Sequence, residues 1–144
     1  MQAQYSANLR DAVRRIGHGR TTSSHELERV GQGLFKHGWQ GVVPRDRIPA
    51  RKPNTYLICN LDQSGKQKLF HWVCRYVDSE GTVAWHDPLG KGGKAQRQPL
   101  VRQVNSRWTE DDAEQGVTED NCGQRCLAAL MIAKQCGMEA FLAL

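Results

Sequence analysis

Apolar positions along the chain change period from one region to the next. Over residues 3–16, Tyr5, Leu9, Val13 and Ile16 recur at helical spacing, which predicts an amphipathic helix. Gly17, Gly19 and the run from Thr21 to Ser24 end it. Ser23 or Ser24 suits the N-cap of a second helix, with Glu26 or Glu28 in its first turn. Leu27, Val30, Leu34 and Phe35 give that helix its apolar face; Gly38 and Gly41 close it, and residues 44–53 read as a basic loop.

Three strand-like runs follow: TYLICNL (55–61), KLFHWVCRYV (68–77) and TVAWHDPL (82–89), the last terminated by Pro88. Turn-forming connections, DQSGKQ and DSEG, predict an antiparallel meander. GKGGKAQRQ reads as a flexible basic loop, PLVRQV as a short strand or a helix, and SRWTEDD as one more edge strand. Residues 122–136 are apolar all round rather than along one stripe, the mark of a helix buried on most sides. The expected class is therefore α+β: a small, mainly antiparallel central sheet packed against helices, with a buried central helix that begins at Cys122.

The 144 residues suit one domain, 1–144, with 1–20 as an N-terminal helical extension. Hydrophobic residues make up 39% and charged residues 24%, too apolar for general disorder, and no run approaches the ~20 apolar residues of a membrane span. The N-terminus has no apolar signal-peptide core, although its arginines faintly resemble a transit peptide. Five cysteines, an odd number, argue for free thiols in a reducing compartment. The net charge of +5 is spread over 10–20, 45–52 and 91–97, which fits either a solvated surface or phosphate contacts with nucleic acid.

Candidate chemistry centres on Cys122. A cysteine at a helix N-terminus meets unsatisfied N–H groups and the helix dipole, which favour the thiolate. Gly123 has no side chain to crowd a substrate carbonyl arriving there, and Cys126, one turn on, should be buried and inert. The plain alternative is that both cysteines are core residues. A nucleophilic cysteine needs a base and the base an orienting group. A hairpin through DSEG brings His71 and Asp87 into one neighbourhood, and Gln115 can fold back to supply an oxyanion donor beside the Cys122 N–H.

The order is His71–Trp72, then Asp87–Pro88–x–Gly90 sixteen residues after that histidine, then Gln115–x6–Cys122–Gly123. It resembles the adenovirus-type (adenain-like) maturation cysteine proteases over roughly residues 24–130. More loosely it resembles the ubiquitin-like-protein (SUMO-specific) proteases, which share the order His, Asp, Gln, Cys. Papain-like enzymes place the cysteine first. The resemblance implies His71 as general base, Asp87 as its orienting partner, Cys122 as nucleophile, Gln115 as oxyanion donor and Trp72 packed beside the substrate groove. It also implies a monomeric endopeptidase that cleaves glycine-containing sites in capsid or core precursor polypeptides, in the virion and the host cytoplasm or nucleus. It implies no metal or resident cofactor; DNA or a peptide are the activators to consider, and non-specific DNA a partner. No counterpart of the cysteine that tethers the adenoviral peptide activator is present. Two other readings stand beside it: a deconjugase for SUMO- or ubiquitin-like modifiers, and a small basic nucleic-acid-binding virion protein whose Cys122, Cys126 and His86 bind zinc.

Overall fold

The computed structural model describes residues 2–62, 71–90, 94–104, 106–109 and 120–144. Helix α1 (Gln2–Ile16) buries Tyr5, Asn8, Ala12 and Ile16, so the N-terminal segment is part of the core rather than an extension from it. Helix α2 (Ser24–Phe35) starts at a capping box: Ser23 accepts from the Glu26 N–H while the Glu26 carboxylate accepts from the Ser23 N–H.

Five strands follow: β1 (Trp39–Pro44), β2 (Thr55–Asn60), β3 (Trp72–Val77), β4 (Val83–His86) and β5 (Arg107–Trp108). They form one sheet in the order β1-β2-β3-β4-β5. The antiparallel meander β2-β3-β4 is at its centre, as expected, and a parallel pair flanks it at each edge, β1 on β2 and β5 on β4. Helices α3 (Lys94–Gln103), α4 (Cys122–Cys136) and α5 (Met138–Leu142) complete the α+β fold.

Strand β1 was expected as helix end and loop. Both glycines that suggested this have other work. Gly41, at φ +104°, lies in the irregular step between Trp39 and Val42, a bulge rather than a stop. A Cβ on Gly38 would stand 2.6 Å from the Asn54 carbonyl oxygen, so only glycine lets the chain cross there. Glu28 of α2 then holds the new strand, accepting from Trp39 Nε1 at 2.7 Å and from the Val42 N–H at 2.8 Å.

The sheet is covered on both faces, which is why its strands do not alternate cleanly between apolar and polar. Ile58, Trp72, Cys74, Tyr76 and Ala84 face α1, α2, α4 and α5. Leu57, Cys59, Leu61, Val73, Val77 and Trp85 face the other way, toward Leu100 of α3 and Ile48. Helix α4 is the buried central helix, with eleven buried residues from Cys122 to Ala133. Gln124, fully buried, fixes its first turn by donating to the carbonyls of His18 and Arg20.

Candidate active site

Antiparallel pairing sets Cys74 of β3 opposite His86 of β4. The residues just before β3 and just after β4 therefore share one end of the sheet. His71 precedes β3, Asp87 follows β4, and the N-terminus of α4 brings Cys122 to the same end. His71 Nε2 lies 2.8 Å from Asp87 Oδ1, and the imidazole also hydrogen-bonds the Cys122 side chain. With Nε2 taken by the carboxylate, Nδ1 is the nitrogen left for the thiol.

The DPLG sequence makes the Asp87 geometry. Asp87 Oδ1 accepts the Leu89 N–H at 2.9 Å, and the Gly90 N–H reaches the Asp87 carbonyl at 2.9 Å. This is a side-chain-locked turn with proline after its first residue and glycine, at φ +55°, closing it. It aims the carboxylate back at the sheet end.

His71 and Asp87 are 5% and 2% exposed. Burial alone would lower the His71 pKa, but the hydrogen bonds to Asp87 and Cys122, and then their charges, outweigh it and push it up to about 9. Burial would raise the Asp87 pKa; hydrogen bonds from His71, Leu89 and Arg97, with the His71 charge, hold it below the usual carboxylate value. Both directions favour an imidazolium beside a carboxylate at neutral pH.

Asn121 stands at the N-cap of α4 but makes no side-chain cap bond; its Oδ1 accepts instead from Arg125 Nε at 3.0 Å. The positive end of the helix is thus directed at Cys122 without a competing cap from Asn121. Cys126 differs in each respect. It is fully buried, hydrogen-bonded to the Trp72 carbonyl and to Cys74, and burial drives its pKa well up. It is buried, as expected there.

One expectation gives way. Trp72 is 0% exposed and lies in the core against α4, so it cannot line a substrate groove. Gly123 has a packing reason for its missing side chain. A Cβ there would stand 2.7 Å from Thr22 Cγ2 and 3.0 Å from both Leu27 methyls, on the side of α2. Gln115 lies outside the described residues. His86, next to Asp87 in the chain, makes its contacts elsewhere: its Nδ1 is 2.7 Å from Thr109 Oγ1 and its ring meets Phe141 edge-on. Among the described residues, no three His, Cys, Asp or Glu side chains are grouped as metal donors. None of the described helices is long and apolar enough to cross a membrane.

One residue of the site escaped the sequence reading. Arg97 of α3 donates from Nη1 to Asp87 Oδ2 and to the Gly90 carbonyl, each at 2.9 Å. Arg97 falls in GKGGKAQRQ, which reads locally as a flexible loop, and the helix runs on through PLVRQV, read as a short strand or a helix. Only burial of Leu100 against the sheet makes it helical, and that is a tertiary effect. No protein-family model matches the chain, and no curated protein is significantly similar to it.

Proposed function

We propose that this chain is a cysteine peptidase, with Cys122 as nucleophile, His71 as acid and base, and Asp87 as the group that orients His71. The observation that carries the reading is the division of one imidazole between a buried carboxylate and a thiol at the start of a buried helix. Such a constellation suits acyl transfer. The thiolate attacks a peptide carbonyl, the tetrahedral oxyanion collapses, and the leaving amine takes a proton from His71. Water, deprotonated by His71, then releases the acyl group and regenerates the thiol. The Cys122 N–H at the helix start, with the Gln115 amide, would receive the oxyanion.

The substrate class we propose is glycine-containing sites in capsid or core precursor polypeptides, cut during virion maturation. Support comes from the ordered resemblance of His71–Trp72, Asp87–Pro88–x–Gly90 and Gln115–x6–Cys122, and from narrow access. Cys122 is 3% exposed, which suits glycine better than a bulky side chain beside the scissile bond. DNA as partner or activator has weaker support: exposed Arg51 and Arg107, with Thr82 and Ser106, line an open groove of about 410 Å³. Gel shifts across a salt series test it, and absence of binding at low salt removes it.

The direct test incubates the protein with a library of short peptides containing Gly-Gly and Gly-x-Gly, and separately with folded ubiquitin-like modifiers bearing C-terminal extensions. Cleavage of the peptides, lost in Cys122→Ser, is the expected result. Cleavage of the folded modifiers alone would move the reading to a deconjugase. Cleavage of neither, with or without DNA, would count against a peptidase.

A further inference from the structure

We infer that Arg97 is a positioning residue of this site: it clamps the Asp87 carboxylate in the rotamer that presents Oδ1 to His71. Asp87 Oδ1 already accepts from His71 Nε2 and from the Leu89 N–H. Its other oxygen is buried with it, and a buried carboxylate oxygen needs a donor. Arg97 Nη1 is that donor. The same nitrogen reaches the Gly90 carbonyl, so one group ties the side chain that opens the Asp87–Gly90 turn to the carbonyl that closes it.

Arg97 is itself held. It is 6% exposed, and its guanidinium lies over the Trp108 ring at 5.0 Å, with Trp85 stacked behind at 5.8 Å. The chain of contacts His71–Asp87–Arg97–Trp108 thus runs from the start of β3 through the end of β4 and α3 to β5. Arg97 also balances charge. Among the described residues, the groups facing His71 are Asp87 at the end of β4 and Cys122 on α4, with Arg97 behind the carboxylate; His86, on the same strand end, turns to Thr109. Its guanidinium offsets the Asp87 carboxylate in a buried place, where an unbalanced charge is costly.

Removing Arg97 has two opposed effects on His71. Loss of a nearby cation favours the imidazolium. Loss of the clamp frees the carboxylate to turn in search of a donor for Oδ2, which withdraws Oδ1 from His71. The clamp is the larger effect on this account, because Asp87 has no solvent to turn to.

The catalytic consequence rests on the peptidase reading; the clamp does not. The test titrates the His71 ring by NMR, and Cys122 alkylation by iodoacetamide against pH, in wild type, Arg97→Gln and Arg97→Lys. In Arg97→Gln the His71 pKa should fall from about 9 toward the ordinary imidazole 6.5. Cys122 alkylation at pH 7 should slow about fourfold if the fall is complete, as the imidazolium fraction drops from nearly all to about a quarter. Arg97→Lys, which keeps the charge, should restore most of both. A His71 pKa that is unchanged or raised in Arg97→Gln overturns the inference. Should Arg97→Gln fail to fold, Trp108→Leu takes its place, since it removes the ring under Arg97 and leaves the other three residues intact; an unchanged titration there is equally fatal. A wild-type Cys122 no more reactive than the exposed Cys136 would sink the peptidase reading while leaving the titration to judge Arg97. A reactive Cys122 with Arg97→Gln titrating like wild type would sink the Arg97 inference alone.

Discussion

Two arginines are buried among the described residues, and they sit in regions of opposite character. Arg97 and Arg75 are 6% and 3% exposed, and each lies over a tryptophan, Trp108 at 5.0 Å and Trp85 at 5.8 Å. Arg97 meets a carboxylate that in turn meets a histidine. Arg75 meets neutral oxygens: the Pro49 carbonyl at 3.1 Å, Gln40 Oε1 at 2.6 Å and the Ala50 carbonyl at 3.5 Å. It straps the loop after β1 across the sheet. Burial, with Arg51 nearby, lowers its pKa to about 10. Cys59 in the same region is pushed up to about 12 by burial even with Arg75 and Arg45 acting the other way. Burial by itself makes groups inert, then, and an adjacent cation does not undo it. At the other end of the sheet, hydrogen-bonded partners of opposite charge outweigh burial, and the groups there are held charged.

The largest expected effect is at the charged end. Cys122→Ser or His71→Ala should reduce peptide turnover on the order of 10³-fold or more, read as kcat/KM, because each removes a group the other requires. Arg75→Met should instead leave Cys122 reactivity unchanged. It should cost about 1–3 kcal/mol of stability in urea unfolding, the range for stranding buried acceptors. A loss of reactivity in that variant would erase the distinction between the two regions.

Gly123→Ala should cost about 1–3 kcal/mol, since its methyl would press on Thr22 and Leu27 unless α4 shifts. A shift that small moves the start of α4 and should slow Cys122 alkylation as well. An unchanged midpoint would mean the close contact is not what keeps glycine there.

The pH dependence is a smaller effect but a sharp one. His71 has a raised pKa in the folded chain, so its contribution to stability is full below 6.5 and disappears as the pH rises through about 9. Asp87 is the reverse: its contribution is present above 3.8 and is lost as the pH falls through its depressed value. Urea midpoints of wild type and His71→Ala, taken from pH 5 to 10, should therefore converge as pH rises between those two histidine values. Turnover should fall over the upper part of that range as the imidazolium is lost. A gap that widens with pH would reverse the assigned direction.

The sequence made some of this legible and not the rest, for physical reasons. Local patterns suffice for a cap at Ser23 or Ser24, for the all-round apolar helix at Cys122 and for the meander, since each is written in neighbouring residues. The turn at Asp87 is equally local. Both parallel pairs were invisible, because nothing in β1 or β5 alone says which distant strand it will join. Arg97 was missed for the same reason as its helix: only the distant sheet against Leu100 makes that polar segment fold. Trp72 misled because an aromatic beside a candidate base suits a groove and a core equally, and only burial separates them.

The central claim is that Cys122 is made reactive by His71, and the pH dependence of cysteine alkylation tests it most directly. Each thiol is followed by mass spectrometry with iodoacetamide, in wild type and His71→Ala. Cys136, exposed, gives the ordinary thiol rate, and buried Cys59, Cys74 and Cys126 give the protected one. The account predicts that Cys122 reacts faster than Cys136 below pH 7 and that this advantage vanishes with His71. A Cys122 rate that follows Cys136 at every pH, or that ignores the loss of His71, would contradict it.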